Sequence, residues 1–183
     1  MKPGTRALGV AESYTGGRST LAAAVVRANR SVDGFSFTDC TVGGTDATES
    51  ILRLWRDLDR PDVRYLLVSG IAPAWFNVLD LHAIHDATDR PVLSVSFEES
   101  PGLEDALSRE FDDPGARLAT YRSQPSRTPV DVNNERVFVR AVGCDDPASV
   151  VRAYTPEGGR PEPLRVARLA ARAADDYVTD RTD

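Results

Sequence analysis

GTDATESILRLWRDLDRPDVRYLLVS, residues 44–69, decides the fold of this chain. It opens on a Thr/Asp-rich start and then sets Ile51, Leu54, Trp55 and Leu58 at helical spacing, so an amphipathic helix begins near Asp46 or Ala47. Residues 63–68 follow as a mostly apolar, β-favouring run, the pattern of a buried strand. Upstream, residues 5–12 (TRALGVAE) and 20–28 (TLAAAVVRA) read as strands joined by a Gly16-Gly17 turn. Residues 34–42 (GFSFTDCTV) alternate apolar and polar for part of their length, as a half-exposed strand does. Three short-linked strands make an antiparallel meander. Downstream come a helix at about 76–87 and a second buried strand, PVLSVSF, at 91–97.

A meander followed by strand–helix–strand units requires right-handed crossovers and a parallel half-sheet. That element order belongs to the α/β, ribonuclease H-like class, a mixed five-stranded sheet with helices on both faces. Beyond residue 100 the pattern predicts a short helix in GLEDALSREF, an exposed loop over 121–135 (YRSQPSRTPVDVNNE), a strand in RVFVRAV, a helix in DPASVVRAY capped by Asp145 or Asp146, and a final helix in PEPLRVARLAARAADDYV. In the final helix Val166, Leu169, Ala170, Ala173 and Tyr177 share a stripe expected to pack on the sheet. The 183 residues suffice for one compact domain and are too few for two ordinary ones, so 1–183 reads as a single domain.

Composition narrows the function classes. Formal charge is -6, Lys2 is the only lysine beside 21 arginines, and Asp outnumbers Glu by 19 to 9. This is an acidic, halophile-type surface, although a GC-rich genome would also favour Arg over Lys. In molar salt the Debye length falls to roughly 3 Å, so net acidity does not exclude a nucleic-acid partner. No run of 18 apolar residues exists, and MKPGTRALGV lacks the apolar segment of a signal peptide, so a cytoplasmic protein with no membrane partner is expected. Cys40 and Cys144 stand far apart and the histidines are His82 and His85, which argues against structural zinc and, in a reduced compartment, against a disulfide.

Local motifs admit competing readings. LGVAESYTGGRST (8–20) has no lysine for a Walker A loop. Its ESYTGG resembles the AES-x-TGG string of CinA-type nicotinamide-nucleotide amidases over that string alone, and a glycine hairpin is the competing reading. Ser69 at a strand end could be a nucleophile served by His82 or His85, but no GxSxG elbow surrounds it and the helix carries both histidines away. Asp46, between a strand end and a helix start, could cap the helix or coordinate a divalent ion. Arg165, Arg168 and Arg172 share a helix face that could meet phosphates or, with Glu162 before them and Asp175 and Asp176 after, be salt-bridged in solvent.

LGVAES, TVGGTDATESI, YLLVSGIAPAWFNVLDL, RPVLSVSF with PGLEDAL, and RPEPLRVARL together resemble the archaeal DUF99 family (domain of unknown function 99) in order and spacing, over residues 5 to about 172. That family is similar to endonuclease V. The resemblance therefore implies a metal-dependent endonuclease acting on DNA that contains deoxyuridine or another deaminated base, with clustered carboxylates holding Mg²⁺ or Mn²⁺. Carried over by position, the first metal-binding aspartate of the family is Ala11 here and the neighbouring acid is Glu12; the second aspartate is Ser69, and Asp46 of the DAT string falls where a third acid stands. The implied site is thus Glu12, Asp46 and Ser69, with Glu12 and Asp46 as the remaining metal ligands. Two of three expected carboxylates are missing, so the resemblance implies weakened or lost cleavage, and a non-catalytic nucleic-acid-binding or regulatory module is the alternative.

Overall fold

The computed structural model describes residues 1–180. Strands β1 (Arg6–Thr15) and β2 (Arg18–Arg27) form a hairpin whose two-residue turn needs the positive φ that Gly16 supplies. β3 (Val32–Thr41) pairs with β2 on the outer side and completes the meander. Helix α1 (Ala47–Leu58) then crosses over to β4 (Val63–Ser69), which runs parallel to β1, with Leu8 opposite Leu66 and Val10 opposite Val68. A second crossover, ending in α3 (Leu81–Thr88), leads to β5 (Val92–Ser96), parallel to β4.

The chain between β4 and α3 departs from the expected helix over 76–87. Its first turn, α2 (Pro73–Phe76), holds Ala74, Trp75 and Phe76 at left-handed φ, and an extended link precedes α3. Helix α3 starts only where Asp80 accepts from the His82 and Ala83 amides. Three consecutive non-glycine residues in that region are strained. The Gly43 N–H donating to the Ala74 carbonyl and the Asn77 N–H donating to the Pro73 carbonyl hold them there.

The sheet has seven strands rather than five, in the order β3-β2-β1-β4-β5-β7-β6. The two extra strands are β6 (Thr128–Val132) and β7 (Glu135–Val142), and β7 pairs antiparallel with β5. The stretch 121–135 is consequently not a loop: it holds the end of α5 (Gly115–Ser123), all of β6 and a tight hairpin. Pro129 hides the strand pattern but is tolerated because β6 is an edge strand, and Asn133 and Asn134, both at positive φ, make the two-residue turn. α4 (Glu104–Glu110) packs with α5 around Leu107 and Tyr121. α6 (Pro147–Tyr154) is capped by Asp146, which accepts from Ser149, and α7 (Glu162–Thr179) closes the fold.

One face of the sheet packs on α1 and α3 through Leu8, Val10, Ile51, Leu54, Val68 and Ile84. The other packs on α6 and α7, through Leu67, Leu93, Val151 and Leu164 and through Ala11, Ala24 and Ala167. The stripe that α7 buries is Leu164, Ala167, Ala171 and Asp175, whereas Leu169 and Tyr177, expected inside, are 55% and 62% exposed. The cause lies in the opposing surface. Gly9, Ala11, Ala22 and Ala24 make it so flat that a Cβ on Gly9 would stand 2.2 Å from the Pro163 backbone, and only small helix residues fit so close an approach. Asp175 is buried because Ser13 and Thr15 of β1 donate to it, at 3.0 and 3.2 Å. Among the described residues no helix is long and apolar enough to cross a membrane.

Candidate functional site

The middle of β1, where its parallel pairing with β4 stops, and the C-terminal end of β4 carry the residues that sequence singles out. The two strands pair in register as far as Val10 and Val68, so Ala11 and Ser69 are the next residues on adjacent parallel strands. Side chains alternate along a strand. Val10 and Val68 face α1, and Ala11 faces α7 with Ala167, so Ser69 shares the α7 face with Ala11 while Glu12 points to the α1 face.

Asp46 belongs to the α1 face as well. It does not cap α1 with its side chain; its carboxylate instead accepts from the Thr41 backbone amide (3.1 Å), the Thr41 hydroxyl (2.9 Å) and Asn77 Nδ2 (2.7 Å). Desolvation works to raise its pKa, but the donors from Asn77 and Thr41 outweigh it and hold the carboxyl below its ordinary value. Glu12 accepts from Ser19 Oγ at 2.7 Å. The buried Cys40 thiol stands near both acids: burial first, then the negative charges of Asp46 and Glu12, push it up to about 12. The structure thus brings Glu12 and Asp46 to one side of the sheet and leaves Ser69 on the other.

Asn77 organises this side and sequence reasoning missed it. It is fully buried; its Oδ1 accepts from the Ala47 amide at 3.0 Å, and its Nδ2 donates to the Thr41 carbonyl (2.9 Å) and to Asp46. One amide therefore ties together the end of β3, the start of α1 and the link before α3. The available signal was a lone Asn between Trp75-Phe76 and Val78-Leu79, where a polar residue persists only with buried partners.

At the C-terminal ends of β4 and β5 a second feature straddles the edge of the sheet: Ser69, Arg160 over Phe97, and Arg168 lie on the α7 face, whereas Ser94 and Arg140, level with Val68, lie on the α1 face. Ser69, Ser94 and Ser96 line a cavity of about 470 Å³ whose charged walls include Arg127, Arg140, Arg160 and Arg168. Arg140 stacks on the Tyr121 ring and Arg127 on Phe138, and both donate to backbone carbonyls of the rim. The triplet on α7 is split: Arg165 is paired with Glu162 at 2.7 Å, while Arg168 lines the cavity. His82 and His85 do not approach Ser69. His85 Nδ1 lies 2.8 Å from the Arg90 carbonyl, and its ring abuts Gly143 beyond β7, at the other end of the sheet.

A divalent ion held by carboxylates fits poorly here. Among the described residues no group of three His, Cys, Asp or Glu gathers as a metal ion needs. Ala11 has no donor, Ser69 offers a neutral hydroxyl among guanidinium groups, and the carboxylate of Asp46 is already taken by three donors.

Comparison with known proteins places this architecture. A protein of unknown function from Archaeoglobus fulgidus matches with a TM-score of 0.83 at 22% identity, over 93% of this chain and 98% of that one. Endonuclease V of Ciona intestinalis, solved with a DNA containing inosine, matches with a TM-score of 0.64 at 12% identity, over 95% and 87% of the two chains. The fold is therefore ribonuclease H-like, of the endonuclease V kind. At the level of sequence, a UPF0215 protein of Pyrobaculum calidifontis is 32% identical over 182 residues, 96% of this chain and all of that protein. The family model described as Endonuclease dU matches residues 3–175, and the chain belongs to that family.

Proposed function

We propose that this chain binds DNA containing deoxyuridine or another deaminated base, and that its metal-dependent cleavage is weakened or lost. The observation that carries this reading is the pair Ala11 and Ser69, next to each other where the parallel pairing of β1 and β4 stops, at positions where the family resemblance calls for two metal-binding aspartates. Hard divalent ions take anionic oxygen ligands, and neither residue supplies one. Family membership and the endonuclease V fold support a nucleic-acid partner. Glu12 and Asp46 are the acids that remain, on the α1 face. The Asp- and Arg-rich composition suits a saline interior, so the activity belongs in high-salt buffer.

The test is a nicking assay on a deoxyuridine-containing duplex with Mn²⁺ or Mg²⁺, beside a gel-shift assay with the same duplex. The unaltered chain is expected to shift the duplex and to nick it feebly or not at all, and Ala11→Asp combined with Ser69→Asp to raise nicking. Efficient nicking by the unaltered chain, abolished by Glu12→Ala, would overturn the loss of cleavage. Failure to bind any DNA would overturn the whole reading.

A further inference from the structure

The cavity beside Ser69 holds more positive charge than the fold neutralises. Four guanidinium groups line it against one carboxylate, that of Glu98. Several arginines elsewhere are matched: Arg6, Arg27 and Arg60 converge on Asp33, Arg122 meets Glu104, and Arg136 meets Asp131, whereas others, such as Arg64 and Arg117, stand singly. Arg127, Arg140, Arg160 and Arg168 have no carboxylate partner among the described residues.

Arg160 is the most telling of the four. Its guanidinium lies over the Phe97 ring, 3.8 Å from the centroid, and its Nη1 is out of reach of solvent with no hydrogen-bond partner. Burial, and then the nearby charge of Arg168, depress its pKa, as happens when a buried cation lacks an anion. Arg160 is only part-buried and lines the cavity, so the rest of its guanidinium, which no carboxylate of the fold meets, faces a space an anion can enter. Stacking on Phe97, Tyr121 and Phe138 fixes the planes of Arg160, Arg140 and Arg127 in advance. Ser69, from the α7 face, and Ser94, from the α1 face, border the cavity on either side of the sheet edge.

We propose that this cavity is a metal-independent binding site for a phosphate monoester, carried on the end of a nucleic-acid strand or on a free nucleotide. Several guanidinium groups around a space of this size match a group with three terminal oxygens and nearly two negative charges better than they match a singly charged in-chain diester. Ser69 then has a use where an aspartate would have none, because a carboxylate at this position would repel the phosphate. The inference concerns the end group alone and stands whether or not the chain cuts DNA.

The experiment measures binding in EDTA at one fixed ionic strength, for a deoxyuridine-containing oligonucleotide with a 5′-phosphate or 3′-phosphate, its hydroxyl-ended twin, and a nucleoside monophosphate. Expected is about tenfold or greater preference for a phosphorylated end over the hydroxyl twin, removed by Arg160→Met. Arg168→Gln, at an exposed side chain whose loss leaves the core intact, should reduce the same preference. Tight binding of the nucleoside monophosphate that is lost in both variants also supports the site and identifies a free nucleotide as its ligand. Equal binding of phosphorylated and hydroxyl ends together with no binding of the monophosphate, or a preference untouched by both substitutions, would overturn it. Because nicking is not the readout, failure here leaves the reading of cleavage standing, and the converse also holds.

Discussion

Replacing Asn77 by Ala should unfasten the corner where β3, α1 and the link to α3 meet. The side chain is fully buried and makes three hydrogen bonds, one of them to the charged Asp46 at 2.7 Å. A hydrogen bond to a charged group contributes about 1.5–3 kcal/mol, and a buried amide such as that of Ala47, left without its acceptor, costs about 1–3 kcal/mol. Water entering the vacated space would recover part of this sum, so a loss of about 3 kcal/mol is expected. For a chain of this length that corresponds to a fall in Tm of roughly 6–12 °C. Thermal and urea denaturation at pH 7 measure it, and a fall under about 2 °C would refute the view that Asn77 holds the corner. Asn77→Asp sharpens the test through pH. It would set a second carboxylate against Asp46, and two carboxylates that close share a proton, so a folded-state pKa rises above its unfolded value. Such a group contributes stability below the unfolded pKa and loses it as pH rises through the folded pKa. The deficit of Asn77→Asp relative to the unaltered chain should therefore grow from pH 4 to pH 7, and a deficit independent of pH would be wrong for this geometry.

Three further outcomes follow from the same physical reasoning. Gly9→Ala puts a Cβ 2.2 Å from the Pro163 backbone, which cannot rotate away, so α7 must shift and a loss of about 1–3 kcal/mol or more should appear in denaturant melts. Asp33 is held by hydrogen bonds and charge from Arg27 and Arg6 at about 2, against an ordinary 3.8; its contribution should be complete above pH 4 and vanish as pH falls towards 2, so unaltered and Asp33→Asn proteins should converge in stability over that window. The Cys40 thiol, 3% exposed and pushed to about 12, should resist iodoacetamide at pH 8 until denaturant is added, and equal labelling of Cys40 in native and unfolded protein would contradict its placement.

Much of this protein is written locally. The hairpin turn at Gly16-Gly17, the helix of Ile51 and Leu54, and the buried strands around Leu67 and Leu93 depend on short-range pattern, and they place the meander beside a parallel half-sheet. Ala11 and Ser69 stand in the sequence where the family resemblance expects two carboxylates, and the structure sets them next to each other on adjacent parallel strands. What the chain could not announce is what depends on partners distant in sequence. β6 was masked by Pro129 and becomes a strand only because β7 offers an edge. The face of α7 is reversed from its most apolar stripe, since the glycine and alanines of β1 and β2 admit Ala167 and Ala171 and leave Leu169 outside. Asn77 acquires its role from Thr41, Asp46 and Ala47, all about thirty residues or more away.

The sequence by itself determined the class of fold and, through the family resemblance, set Ala11 and Ser69 where two acids are expected. Only tertiary structure decided on which side of the sheet each remaining group lies. Strand alternation sends Glu12 and Ser69 to opposite faces, and chain crossings that no local pattern encodes gather Arg127, Arg140, Arg160 and Arg168 with Ser69 about one positively charged cavity at the edge of the sheet.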